Sequence, residues 1–272
     1  MKQYFRKSLW IFILKSGSIL LVIVFLSSCG KHKTSDKINP GSAPIEIKMA
    51  AYNVEFSKNA SAAEIGNMLK SYDFDIVCFS EAPGGEWTKN VGLATGLEHV
   101  IVGKYSTAGH VDKYKTILSK YPLYDYEEIL MTDTLHTVTK AKIKVKNKEL
   151  AIYSLHFPFG VGATEKMEDF ANYIKKVQKD EITIALGDYN FNPTSSDYKL
   201  YIDAGLEPSW IDLKIDITHL FTWNALDPSR DKGVIDHIMY NPNKIKAIAG
   251  EIIEMERPLS DHKPVWALLQ LK

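Results

Sequence analysis

Cysteine, long hydrophobic runs and a broad excess of basic charge are all scarce in this 272-residue chain, and each scarcity excludes a class of protein. With two cysteines, Cys29 and Cys78, there is no disulfide framework of the kind that staples small secreted scaffolds. Cys78 lies in Asp-Ile-Val-Cys-Phe, an apolar strand pattern where a free thiol packs as a small hydrophobe. The unbroken apolar run from Ile19 to Leu26 is far shorter than the roughly 20 residues a spanning helix needs. Lys15 and Gly17 interrupt the longer stretch that begins at Trp10. Basic and acidic residues balance at 33 each, but residues 1–44 hold seven of the first and one of the second. The remaining 45–272 therefore carry 26 basic and 32 acidic residues, a net −6. Such a body is not built to hold nucleic acid on a broad basic surface. It suits a site where a metal ion supplies positive charge locally. Repeats and low-complexity tracts are absent from 45–272 too, and no linker divides it, so one domain is expected.

What is present begins with an address. Lys2, Arg6 and Lys7 precede the apolar run, which ends in Leu26-Ser27-Ser28-Cys29-Gly30. A basic start and a short apolar core read as a signal peptide over 1–28. The Leu-Ser-Ser-Cys ending resembles the bacterial lipobox and implies cleavage before Cys29 and lipidation of its thiol. Residues 29–44, polar and rich in turn formers, then read as a flexible tether. The second residue after Cys29 is not the Asp associated with inner-membrane retention, so a lipid anchor in the cell envelope, at the outer membrane, is expected.

The body is 45% apolar over the whole chain's composition, enough for a sizeable core. Strand patterns cover 45–53, 75–80, 99–102, 116–119, a hairpin from Leu135 to His156 turning at Asn147-Lys148, 182–188, 234–240, about 244–254 and 264–271. Apolar residues at helical spacing mark Ala60 to Tyr72, with Ser61 as cap, and Thr164 to Gln178; weaker helices fall near 85–95 and 195–204. Strands outnumber helices, and the helices occur in widely separated places. That is the pattern of an α+β fold with two sheets face to face and helices outside.

Polar residues recur at strand ends where structure alone does not demand them. Asn53, Glu81 and His156 end strands, and Asp188 and Asn190 follow the apolar Ile182-Thr-Ile-Ala-Leu-Gly. If strand geometry persists there, Asp188 and Asn190 point the same way. Asp236 interrupts Val-Ile-Asp-His-Ile, where a carboxylate is costly to bury unpaired. Asp261-His262 precedes the last strand. His237 alternates to the face opposite Asp236 and is given no catalytic role.

The ordered stretches Ala-Tyr-Asn-Val, Ile-Val-Cys-Phe-Ser-Glu, Ile-Leu-Ser-Lys-Tyr-Pro-Leu, Ser-Leu-His-Phe, Leu-Gly-Asp-Tyr-Asn, Val-Ile-Asp-His-Ile and Ser-Asp-His-Lys-Pro-Val span 45–272. Together they resemble the endonuclease/exonuclease/phosphatase superfamily, which includes the pancreatic-type deoxyribonuclease. The resemblance implies a four-layered α/β/β/α sandwich and in-line attack of water on a phosphoester. It implies that Glu81, helped by Asn53 and Asp261, holds Mg²⁺, with Mn²⁺ as a substitute. It gives Asp188 the attacking water, Asn190 a phosphate oxygen or that water, and His262, steadied by Asp236, the developing charge or leaving oxygen. His156 would meet the phosphate from the other side, a residue at which abasic-site endonucleases of the superfamily differ. Substrate choice is expected in the loops 83–90, 103–115, 157–163 and 221–233. The last places Trp223, Arg230 and Lys232 just before Asp236, an aromatic and two cations able to stack a base or grip a head group, or simply a surface turn with a core Trp. The expected protein is an envelope-tethered, monomeric Mg²⁺-dependent phosphoester hydrolase. An extracellular nuclease and a non-catalytic phospho-ligand-binding lipoprotein are the alternatives.

Overall fold

A computed structural model describes residues 43–107, 110–227, 229–230 and 233–272. The signal peptide, Cys29 and almost all of the tether lie outside the described residues, as does Lys232. The first half of the body runs β1 (Glu46–Asn53), α1 (Ala62–Lys70), β2 (Ile76–Ala82), α2 (Trp87–Thr95), β3 (His99–Val102), β4 (Tyr114–Ser119), β5 (Tyr124–Leu130) and β6 (Thr137–Val145). The second half runs β7 (Lys148–His156), α3 (Ala163–Val177), β8 (Thr183–Asp188), α4 (Ser196–Asp203), β9 (Glu207–Pro208), α5 (Ser209–Leu213), β10 (Asp236–Tyr240), β11 (Ile245–Ile252) and β12 (Val265–Leu271). Among the described residues no helix is long and apolar enough to cross a membrane.

Local chemistry explains the main helices. Ser61 caps α1 by accepting from the Glu64 N–H, while the Glu64 carboxylate reaches back to the Ser61 N–H. This reciprocal pair satisfies two otherwise orphaned donors. Ile65 and Leu69, four apart, are buried beneath the helix. In α3 the buried positions Met167, Phe170, Ala171 and Ile174 form one stripe, opposite a charged face.

The strands form two six-stranded sheets, ordered β11-β12-β1-β2-β4-β3 and β5-β6-β7-β8-β10-β9. Each contains one parallel pair, β1 with β2 and β7 with β8, joined through α1 and α3 respectively. Alternation assigns every strand an inner and an outer face. Met49 and Ala51, Ile76 and Cys78, Ile152, Ile184, Leu186 and Ile238 share one cluster between the sheets. Ala50, Tyr52, Val77 and Phe79 instead pack under α1 and α2 with Ile65, Leu69 and Val91. Tyr153, Leu155 and Ala185 pack under α3 and α4 with Met167, Phe170 and Tyr201. The result is the four-layered α/β/β/α sandwich that the resemblance implied, as a single domain.

Three local expectations need correction. β5 was not expected from the sequence: it is an edge strand with little burial, so its side chains show no alternation of apolar and polar. β9 and α5, two and five residues long, are too short for a periodic signal. β4 starts at Tyr114, which shortens the expected 103–115 loop.

Gly187 marks where the second sheet is tightest. Its φ is +146°, and a Cβ there would stand 2.1 Å from the Leu155 carbonyl oxygen of the paired strand. A side chain would part β7 from β8 one residue before Asp188. Gly187→Ala is expected to cost about 2 kcal/mol or more in urea unfolding. A variant as stable as the parent would refute this account.

Candidate active site

The same alternation that builds the core delivers the polar residues. Following Met49 and Ala51, the next inward position of β1 is Asn53; following Ile76 and Cys78 on β2 it is Ser80. On β7 the inward series passes Ile152 and Ser154 to His156, and on β8 it passes Ile184 and Leu186 to Asp188. β10 runs antiparallel to β8, so its inward series starts at Asp236. Register then sets Asn53 beside Ser80, His156 beside Asp188, and Asp188 beside Asp236. The seam between the sheets is apolar through its middle and polar at one end.

Glu81 reaches this end by a different device. Alternation would turn it outward with Val77 and Phe79. Instead β2 bulges against β4 between Phe79 and Ala82, and Glu81 takes a φ of +51°. The extra residue re-aims the side chain. Its Oε1 lies 3.7 Å from His156 Nε2 and its Oε2 2.5 Å from Lys113 Nζ. Such a backbone is costly for a non-glycine residue and is retained where the surroundings enforce it.

Around Asp188 the groups interlock. Asn53 Nδ2 donates to Asp188 Oδ2 at 3.0 Å, and the Asn190 N–H donates to Oδ1 at 2.8 Å. His156 Nε2 and His262 Nε2 stand 3.5 and 3.7 Å from Oδ2. His262 Nδ1 lies 2.8 Å from Asp236 Oδ2, and Asp236 Oδ1 is buried without a hydrogen-bond partner. Ser260 Oγ donates to the Asn53 carbonyl, tying the Asp261-His262 segment to the end of β1. Asn190 does not extend the strand as expected. β8 ends at Asp188, Asn190 has a φ of +52°, and its Nδ2 donates to the Phe157 carbonyl at 2.7 Å. The turn comes from the Asp188 carboxylate capturing the backbone two residues on.

Burial and neighbouring charge shift these groups apart. Burial would pull the His262 imidazolium down, but the charges of Asp236 and Asp188 outweigh it and push it up to about 10. Burial, reinforced by Asp236, pushes the Asp188 carboxyl up to about 7. Burial lowers His156 to about 4 despite the opposing charge of Glu81. One histidine is thus kept charged and the other neutral within a single cleft. The cleft encloses about 400 Å³ and is lined by Glu81, His156, Asp188, Asn190, Asp261 and His262, with Trp223, Phe159 and Phe191 among its apolar walls.

A family model described as "Endonuclease/Exonuclease/phosphatase family" matches residues 50–262. The chain belongs to the endonuclease/exonuclease/phosphatase family. Solved structures of low identity share its fold. An endonuclease/exonuclease/phosphatase from Bacteroides vulgatus superposes with a TM-score of 0.70 at 18% identity, covering 84% of this chain and 100% of that one. A mannosyl-6-phosphatase from Bacteroides thetaiotaomicron gives 0.63 at 20%, covering 82% and 99%. TDP2 of D. rerio, complexed with single strand DNA product, gives 0.66 at 15%, covering 82% and 98%. No curated protein matches by sequence.

Divalent-metal chemistry is typical of this family, and the residues present fit a hard cation. Burial raises the Asp261 carboxyl, and the negative charges of Glu55 and Glu81 raise it further. These facing carboxylates, with the Asn53 amide, make an oxygen donor set whose mutual repulsion a cation would relieve. Asp188, Asp236 and His262 also bring ligand atoms within 4.8 Å of one another. There the ring is already bonded to Asp236 and Asp188 to Asn53, while on the Glu81 side Lys113 already pairs with Oε2.

Of the expected substrate residues, Trp223 lines the cleft and pairs with His262 in an isolated bridge. Arg230 is exposed and is not part of the cleft wall. Lys113, Thr107, Phe159 and Asn192 also reach the site and were not singled out from sequence. They sit on loops, where no periodicity announces direction. The Lys-Tyr-Lys run entering β4 was the one available signal.

His237 confirms its separate role. Trp210 Nε1 donates to its Nδ1 at 3.1 Å, so Nε2 carries the proton and donates to the Phe191 carbonyl at 3.2 Å. The ring packs against Tyr189, Phe191 and Tyr198, and burial lowers its pKa to about 4. An unfolded histidine titrates near 6.5, so the unfolded chain binds the extra proton first as pH falls. The contribution is complete above about 6.5 and is lost progressively between about 6.5 and 4, for roughly 3 kcal/mol. Urea unfolding across that range should show a flatter pH slope in His237→Gln; an unchanged slope would contradict the neutral, double-bonded ring.

Proposed function

We propose that this protein is a metal-dependent phosphoester hydrolase, served best by Mg²⁺ and also by Mn²⁺, acting on a small or exposed phosphoester at the bacterial cell envelope. One observation carries the reading. Asp188, bonded to Asn53, and His262, bonded to Asp236, meet in one cleft beside the carboxylates of Glu81 and Asp261. A group that accepts a proton and a group that gives one are the two partners phosphoester hydrolysis needs. Membership of a family of nucleases and phosphatases supports it. So do fold neighbours that include a phosphatase and a protein bound to a DNA product.

In this reading Asp188 accepts the proton of the attacking water. Asn53 Nδ2 and the Asn190 N–H hold the two Asp188 oxygens in place. His262 donates a proton to the leaving oxygen, with its ring held by Asp236. His156, neutral, contacts a phosphoryl oxygen, and Asn190 orients another. Mg²⁺ held by Glu81, Asp261 and Asn53 would neutralise charge on the phosphoryl group. Trp223 and Phe159 flank the opening and offer flat surface to the ester substituent. A pure ligand-binding role is disfavoured because Asp188, Asp236 and His262 are all buried, with His262 bonded to Asp236 and 3.7 Å from Asp188, an arrangement costly to maintain without chemistry.

The test is turnover by the purified protein of a bis-aryl phosphate, DNA, inositol phosphates, a hexose phosphate and sphingomyelin, with and without Mg²⁺. Glu81→Ala and Asp188→Asn are each expected to lower kcat/KM about 10²-fold or more on the best substrate. No turnover on any arm, or turnover indifferent to both changes, sinks the catalytic reading. Attachment is tested separately: Cys29→Ala should move the protein from the membrane to the soluble fraction. Continued sedimentation with membranes would rule out the lipid anchor.

A further inference from the structure

Two of the carboxylates beside the cleft already face an ammonium. Lys58 Nζ lies 2.8 Å from Glu55 Oε1, on a side chain that is 56% exposed. Lys113 Nζ lies 2.5 Å from Glu81 Oε2, and these two side chains are only 17% and 16% exposed. Water and salt screen the first pair well and the second much less. Lys113 has no part in the hydrolysis described above.

Irregular backbone on both sides makes this meeting. Glu81 owes its aim to the bulge of β2 against β4 and to a φ of +51°. Asp112, the residue before Lys113, has a φ of +62° and is not glycine either. Its Oδ1 accepts the Gly84 N–H at 3.0 Å, which staples the segment after Glu81 to the segment before Lys113. Gly84 makes room for the staple, since a Cβ there would stand 2.5 Å from that oxygen. The Lys113 backbone is clamped as well. Its N–H donates to Ser106 Oγ at 2.9 Å, and its carbonyl accepts the Thr107 N–H at 2.7 Å. Strained positions on two neighbouring segments are thus spent on one ion pair.

The pair bears directly on the cation that Glu81 suits. Glu81 turns Oε1 toward His156 Nε2 at 3.7 Å and gives Oε2 to Lys113. A carboxylate that holds an ammonium offers less negative potential to a second cation, and two positive charges at one carboxylate repel each other. Partial burial keeps that repulsion strong. The charge of Glu81 also acts on Asp261, so Lys113 offsets the repulsion between these two carboxylates.

We propose that Lys113 sets the metal affinity of the site: its ammonium and a divalent cation compete for the Glu81 carboxylate. The ion is held more loosely than the oxygen donors by themselves would hold it, and it exchanges more readily. Lys113 is a positioning residue that acts through Glu81, not on the substrate. This rests on the metal site of the phosphoesterase reading.

Calorimetric titration of the whole protein with Mn²⁺ tests the contest. Lys113→Met should bind Mn²⁺ about tenfold tighter or more than the parent. Lys113→Arg, which keeps the charge, and Lys58→Met, which removes a screened one, should each stay within about threefold of the parent. Lys113→Gln can still donate to Glu81 without carrying charge, so it should show the same gain and stands in if Lys113→Met does not fold. Thermal unfolding gives a second reading: saturating Mn²⁺ should raise the Tm of the uncharged variants more than that of the parent. A ligand-orienting lysine with no competing charge would have the opposite sign, with Mn²⁺ weakened by Lys113→Met and Lys113→Gln. That result, equal affinities, or the same gain in Lys58→Met would overturn the proposal. Affinity is read without turnover. A parent that binds Mn²⁺ and hydrolyses nothing sinks the phosphoesterase reading and leaves the contest standing. A parent that hydrolyses phosphoesters while its uncharged variants bind Mn²⁺ no tighter loses the contest alone, and absence of Mn²⁺ binding in every form overturns the contest and the metal site together.

Discussion

The hydrogen bond from Asn53 Nδ2 to Asp188 Oδ2 joins two strands that belong to different sheets and lie 135 residues apart in the chain. Two sheets packed through apolar side chains stand about 10 Å apart, too far for most polar groups to meet. The amide and carboxylate meet because both lie on inward-facing positions at the same end of the sandwich, where the apolar series stops. Everything else at the site depends on that placement. His156 and Asp236 flank Asp188 through sheet register, and Ser260 ties the Asp261-His262 segment to the end of β1.

The arrangement is costly by ordinary packing standards. Asp188, Asp236 and His262 are all buried, and isolated charges there would be strongly destabilising. Mutual pairing offsets the cost and raises His262, while burial and the neighbouring Asp236 charge raise Asp188. Backbone strain collects at the same place. Glu81 and Asn190 both have positive φ, and neither is glycine. Each departure from regular strand geometry re-aims a polar group at the cleft: Glu81 through a bulge, Asn190 through a turn closed by its neighbour's carboxylate.

Much of this was legible in the residues. The alternation of Ile184, Leu186 and Asp188 states which way the carboxylate faces, because the period of a strand is a local property of the chain. The Ser61–Glu64 pair announces where α1 begins for the same reason. Asp236 was legible as an anomaly, a carboxylate within an apolar strand. Where the reading erred, it extended a local rule past its range. Alternation carried to Asn190 was wrong because the backbone leaves the strand at Asp188. β5 went unseen because an exposed edge strand leaves no apolar rhythm to read.

By itself the sequence determined the strands and helices that matter, the inward phase of each strand, and the kinds of groups able to reach one end of the sandwich. Those features depend on neighbours a few residues away. Tertiary structure alone decided that Glu81 turns inward against its alternation, since the bulge exists only relative to the partner strand β4. It also decided that Lys113 meets Glu81, and that Thr107 meets His156. These are contacts between loops and strands distant in the chain. No local period encodes them, and they arise only once the two sheets have packed and set their register.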